Sequence, residues 1–163
     1  MSKTKKIVLT GHFGVGKSSL IRRFVQNEFS DDYHVTIGVH ILKKTVALNN
    51  EEITLVIWDI EGKDSVEKIR SSYLIGTSGF IHVIDPTRGQ TFSELQDEIK
   101  YLNKSFPKTP IITVCNKSDL IAIDEFEALL KTKNLIIDYF TSAKSGENVE
   151  KIFQEIASKI TAK

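Results

Sequence analysis

Three glycines, a lysine and a serine stand close together in GHFGVGKS, residues 11–18. Gly11 and Gly16 let the chain turn tightly, Lys17 can reach outer phosphates, and the Ser18 hydroxyl can ligate Mg²⁺. Gly-x4-Gly-Lys-Ser between a strand and a helix turns backbone N–H groups and a helix N-terminus toward oxyanions. The amides so placed belong to Gly14, Val15, Gly16, Lys17, Ser18 and Ser19. Such a loop holds phosphate but does not choose a base.

Base choice is legible further on, in NKSD, residues 116–119. A carboxylate at Asp119 can accept from both N1–H and the 2-amino group of guanine. Adenine offers neither donor, so its binding would leave a buried carboxylate unpaired, and sites of this kind discriminate by roughly 10⁴-fold. Asn116 can bond the Hoogsteen side of the base or brace the phosphate loop, and the stem of Lys117 can lie over the base plane. In TSAKSG, residues 141–146, backbone amides can bond the guanine oxygen, Ala143 being nearest by position. Taken alone, that segment is a helix start with Ser145 or Ser142 as cap. A fourth stretch, WDIEGK at 58–63, ends an apolar run with Asp59-x-x-Gly62. It reads as a sensor of a terminal phosphate or as a plain acidic turn.

The elements around these stretches place them at strand ends. KKIVLTG (5–11) and GFIHVID (79–85) read as buried strands, and residues 17–28 put Leu20, Ile21, Phe24 and Val25 at helical spacing. HVTIGVHILKKTVAL and EEITLVIWDI flank Asn49-Asn50, the signature of a two-strand hairpin. Residues 64–75 predict an irregular polar helix, and TFSELQDEIKYLNKSF an amphipathic one. PIITVCNK, a weaker helix near 124–132, LIIDYFTSA and a last helix over 147–161 follow. Alternating strands and helices after a hairpin predict an α/β fold with a mostly parallel sheet, one antiparallel edge and helices on both faces. Ligands in such sheets bind outside the carboxyl ends of the strands. We read residues 1–163 as one domain.

Bulk properties exclude several classes. Apolar residues make up 40% and charged residues 26%, with a formal charge of +1, which gives no reason to expect a nucleic acid partner. Cys115, the single cysteine, cannot form an internal disulfide, so a reducing, cytoplasmic setting is expected. No apolar run approaches the ~18 residues of a membrane span. His12, His34, His40 and His82 show no zinc-ligand spacing. His40 and His82 read as packing or surface residues, and Lys43 and Lys44 as a solvated hairpin edge.

In order, GHFGVGKS, YHVTIG, WDIEG, NKSD and TSAK resemble a small GTPase of the Ras superfamily. NEF (27–29), IRSSY (69–73) and DPTRGQTFSEL (85–95) place the likeness nearest the Rab and Ras branches. It covers essentially the whole chain. The resemblance implies the phosphate-loop NTPase fold of a small G domain, with a six-stranded sheet, GTP and GDP as ligands, and Mg²⁺. It implies that Phe29 flanks the guanine, that Ser142, Ala143 and Lys144 meet the base, and that Thr36 joins Ser18 as a metal ligand. Asp59 then holds Mg²⁺ through water, and the Gly62 amide meets the γ-phosphate. Residues about 31–42 and 62–75 would form the effector surface, with an exchange factor and a GTPase-activating protein as further partners. Tyr33 either closes over the phosphates or stays solvated. The chain ends in ITAK without the lipidated cysteine of membrane-cycling relatives, so no direct lipid anchor is expected.

Three residues depart from the family pattern. Where relatives carry a glutamine that orients the attacking water, this chain has Lys63, which has donors but no acceptor. Glu61 replaces the usual alanine and would repel the γ-phosphate unless a cation such as Lys63 neutralises it. Phe13 stands where relatives carry a small residue, and could crowd an arginine finger. Slow hydrolysis is the expectation, with two alternatives: Lys63 and Phe13 point outward and hydrolysis is ordinary, or Lys63 swings in beside Lys17, Thr36 and Gly62 as a catalytic group. The competing functions are a guanine-nucleotide switch, a GTP-loaded scaffold with little turnover, and an ATP-using phosphotransferase, which Asp119 opposes.

Overall fold

The computed structural model describes residues 3–32 and 35–162. Six strands form one sheet: β1 (Lys3–Gly11), β2 (Val39–Leu48), β3 (Glu51–Ile60), β4 (Gly79–Ile84), β5 (Ile111–Cys115) and β6 (Tyr139–Phe140). Their order across the sheet is β2-β3-β1-β4-β5-β6. Only the β2–β3 pair is antiparallel; β1 pairs in parallel with both β3 and β4. Asn49 and Asn50 both take positive φ, 51° and 66°. A two-residue turn with that geometry matches the twist of the strands it joins, so the expected hairpin forms.

Side-chain alternation decides which helix covers which face. Ile7 and Leu9 of β1 join Ile57, Ile81 and Val114 in one core, under α1 (Lys17–Gln26) and α5 (Val149–Thr161). The Phe24 and Phe153 rings stack there with centroids 4.0 Å apart, fixing one helix against the other. Val8 points to the opposite face with Phe80, Leu74 and Leu102, beneath α2 (Ser71–Leu74) and α3 (Leu95–Ser105). A third cluster, Ile84, Leu95, Cys115, Phe126 and Leu130, seats α4 (Ile123–Thr132). No described helix is long and apolar enough to cross a membrane.

Three local expectations are corrected. Residues 64–75 are not one helix but a 3-10 turn, Val66–Lys68, and the four-residue α2. Ser65 caps the turn through Glu67 N–H, while Ile69 is extended and Arg70 leaves the helical region, which lets Val66, Ile69 and Leu74 all reach the core. The run LIIDYFTSA supplies only two ladder residues, because Asp138 instead exchanges hydrogen bonds with the backbone of Thr113. Lys44 is not on a solvated edge: its ammonium donates to Phe24 O at the end of α1 and lies 4.2 Å over the Phe24 ring.

Candidate functional site

Parallel pairing of β1, β4, β5 and β6 brings their carboxyl ends to one rim, and the residues that follow each strand meet there. Gly14, Gly16, Lys17, Ser18, Ser19, Phe29, Thr36, Gly62, Asn116, Lys117, Asp119, Ala143 and Lys144 line a single cleft. Val15, Asp59 and Ser142 lie behind that lining, buried at 0%, 4% and 0% exposure.

Lys17 opens α1 with its side chain folded inward. Its ammonium donates to the carbonyls of Gly11 and His12, each at 3.0 Å. Burial pulls its pKa down to about 8 against the attraction of Asp59. A buried cation whose hydrogen bonds go only to carbonyls is poorly compensated even with Asp59 nearby, and an oxyanion at the loop would compensate it.

Gly62 sits directly across from that ammonium. A Cβ there would lie 2.5 Å from Phe13 Cα, 2.6 Å from Phe13 N and 3.0 Å from Lys17 Nζ. Only glycine allows this approach, which carries the Gly62 amide to the mouth of the phosphate loop.

Ser18, Thr36 and Asp59 converge from three segments. Ser18 Oγ donates to Asp59 Oδ2 at 2.6 Å and stands 2.7 Å from Thr36 Oγ1. Because the serine proton goes to the carboxylate, Thr36 is the donor of the second bond. Burial pushes the Asp59 carboxyl above its ordinary range, opposed by the Ser18 hydroxyl and then by the Lys17 charge. Asp59 Oδ1 is buried without a hydrogen-bond partner. Two hydroxyls and a carboxylate with an unused oxygen form an all-oxygen donor set, which fits Mg²⁺ and its retained waters.

On the base side, Asn116 braces the loop. Its Nδ2 donates to Val15 O at 3.1 Å, and its Oδ1 accepts from Thr141 Oγ1 and Ala143 N. One amide thus ties the phosphate loop to the 141–146 turn, and the second N–H of its Nδ2 is a further donor. Gly16 faces this amide so closely that a Cβ would collide with Asn116 Nδ2. Asp119 accepts from Ser142 Oγ at 2.8 Å, which orients its carboxylate along the cleft. Lys117, at φ 59°, sends its ammonium to Gly14 O and to the buried Asp85, drawing its stem along the cleft wall.

Several contributors escaped the sequence reading. Asp85 follows the fully buried β4, and hydrogen bonds from Thr87 and Lys117 outweigh its burial and hold its carboxyl below the usual range. An acid ending an apolar strand run was a signal that could have found it. Arg23 of α1 donates to Ala143 O and Lys144 O, fixing the 141–146 turn from 120 residues away, which nothing local announces. Arg88 donates to Phe13 O at 2.7 Å. Ser142 is not a helix cap: Asn148, at φ 58°, precedes α5, while Ser142 accepts from Ser145 N–H.

The departing residues divide. Phe13 lines the cleft, half-exposed. Lys63 is outside the lining, its ammonium 3.7 Å from Glu61 Oε2, so the two substitutions balance each other's charge. Tyr33 and His34 lie outside the described residues.

A parallel sheet with a glycine-rich phosphate loop after β1, opening α1, defines a phosphate-loop NTPase. A family model described as Ras family matches residues 6–162. The chain is 36% identical to the Ras-related protein SEC4 of Saccharomyces cerevisiae, over 97% of this chain and 75% of that protein. It is 36% identical to the Ras-related protein Rab-25 of Mus musculus, over 97% and 76%, and to the Ras-related protein RIC2 of Oryza sativa, over 95% and 74%. The chain belongs to the Ras family. It is a GTP-binding molecular switch of the small GTPase class, whose members bind GTP and GDP with Mg²⁺, hydrolyse GTP and act through effectors, exchange factors and activating proteins.

Proposed function

We propose that residues 1–163 form one G domain whose cleft binds GTP and GDP and turns GTP over slowly. Asp119 reads guanine, with the 142–144 backbone beside it and Phe29 and the Lys117 stem flanking the ring. The amides from Gly14 to Ser19 and the Lys17 ammonium take the phosphates. Ser18 and Thr36, with Asp59 through water, would hold Mg²⁺, which supplies charge neutralisation at the β- and γ-phosphates when bound. Thr36 and Gly62 belong to separate segments, and each can bond a group that disappears on hydrolysis. Loss of the γ-phosphate would release both, a change suited to switching an effector surface over about 31–42 and 62–75. A cytoplasmic setting belongs to the same proposal and draws on the single buried thiol of Cys115.

Slow turnover is supported by one observation above all: the side chain after Gly62 is a lysine turned onto Glu61. A lysine has donors and no acceptor, so it cannot accept from and orient a water as the family's glutamine does. Phe13 at the cleft mouth favours a second reading, a GTP-loaded scaffold, by narrowing the approach of an activator's arginine. Single-turnover hydrolysis of preloaded GTP in Mg²⁺ separates these from an ordinary switch. Retention of GTP over many hours is expected, with Lys63→Gln accelerating turnover about tenfold or more, a modest share of what water orientation and arginine fingers supply. Loss of turnover in Lys63→Ala would instead mean that the lysine acts on the transition state.

A further inference from the structure

Behind the phosphate loop, polar side chains from four segments meet inside an otherwise apolar interior. Glu98, 6% exposed, projects from the first turn of α3, where helix amides favour an anion. Its Oε2 is 2.8 Å from Nε2 of the fully buried His82 in β4, and its Oε1 is 3.7 Å from His12 Nε2. The other nitrogen of His82 is 2.8 Å from Thr10 Oγ1. The approach of His82 to Glu98 is close without the geometry of a hydrogen bond: His82 Nε2 and Glu98 Oε2 are both buried without a hydrogen-bond partner. The Glu98 carboxylate faces two imidazoles, those of His82 and His12, one from each oxygen.

His12 is the second residue of the phosphate loop. Its carbonyl accepts from Lys17 Nζ at 3.0 Å and Val15 N–H at 3.4 Å, while its ring reaches back toward α3. One residue therefore joins the helix to the turn that cradles phosphate. Glu98 is not part of the cleft lining, so direct ligand contact does not explain it. A buried carboxylate is also more demanding than an apolar side chain at that position.

We propose that Glu98 is a positioning residue that ties the phosphate loop to α3 through His12 and so sets how tightly the loop holds nucleotide. This rests on the reading that the cleft binds GDP and GTP. Protonation of His12 turns a 3.7 Å approach into an opposite-charge pair and strengthens the tie, so the hold tightens as pH falls. Burial keeps His12 below the ordinary imidazole range, and Glu98 is the strongest influence against that. The charged and titratable groups facing His12 are Glu98, Glu94 ahead of α3, His82, Arg88, and Asp64 and Lys68 after Gly62. A surface cleft lined by Asp64, Lys68 and Glu94 opens onto His12, giving solvent protons access.

The test is the dissociation rate of ribose-labelled fluorescent GDP from the full chain in Mg²⁺, over about pH 5.5 to 8 where imidazoles titrate. Wild type, His12→Ala, Glu98→Gln and the double variant are compared. Each single variant is expected to release GDP about tenfold faster at the acid end, in line with one lost charge-assisted contact. The double variant should be no faster than the faster single, and the slowing of wild type at low pH should vanish in all three. His12→Ala changes a loop residue outside the core clusters, so it carries the test even if Glu98→Gln unfolds. Single-variant rates within about twofold of wild type at every pH would overturn the proposal, being under 0.5 kcal/mol. A wild-type chain that binds no labelled GDP would overturn the site reading and this proposal with it, an outcome distinct from unchanged rates.

Discussion

Lys17→Met should have opposite effects on the empty and the loaded protein. Lys17 is 6% exposed, and its ammonium is held by two carbonyls. Burial lowers its pKa from 10.5 to about 8, which corresponds to about 3 kcal/mol against the charged form. Methionine has nearly the same shape and no charge to desolvate. Against that gain stand the carbonyls of Gly11 and His12, which lose a donor at about 1 kcal/mol each. The nucleotide-free variant should therefore be about 1 to 2 kcal/mol more stable than wild type at pH 7. Wild type gains about 2.7 kcal/mol from GDP at one hundred times its Kd, and a variant that cannot engage phosphate gains little. Urea unfolding of nucleotide-free protein, repeated with GDP and Mg²⁺, should show the order of stability reversing. The pH dependence has a definite sign. The unfolded chain holds the Lys17 proton more tightly, so the penalty is full below pH 8 and disappears as pH rises toward 10.5. The difference between wild type and variant should close over that window. A nucleotide-free Lys17→Met that is no more stable than wild type would refute the claim that the loop stores an uncompensated charge.

Two further outcomes test the base side. Asp119→Ala should weaken GTP binding by at least about 10²-fold while ATP binding stays weak, read by competition against labelled GDP; unchanged GTP preference would remove Asp119 as the reader. Lys117→Met strands the buried Asp85 carboxylate, and because Lys117 is a third exposed, the expected loss at pH 7 is about 2 to 3 kcal/mol, below the range for fully buried pairs. Asp85 has a lowered folded pKa, so its contribution is present above pH 3.8 and is lost as pH falls through the folded value. The deficit in urea unfolding should shrink on acidification through that range.

What the sequence determined by itself was whatever depends on contiguous residues. The phosphate loop, the NKSD motif with its Asp119, the Asn49-Asn50 turn and the alternation of strands and helices each follow from local backbone and side-chain chemistry. That is why Lys17, Ser18, Asp119 and Gly62 could be named before any contact was known. Tertiary structure decided the pairings between distant segments. That Asn116 braces the phosphate loop emerged only when Val15 O and Ala143 N met its two ends. Lys63 could be turned inward or outward until it met Glu61. His82 read as a packing residue, and only the crossing of α3 over β4 put Glu98 2.8 Å from it. Burial creates that difference: the charge state and partner of a polar group depend on which distant surfaces exclude water from it, and residue spacing along the chain does not encode those surfaces.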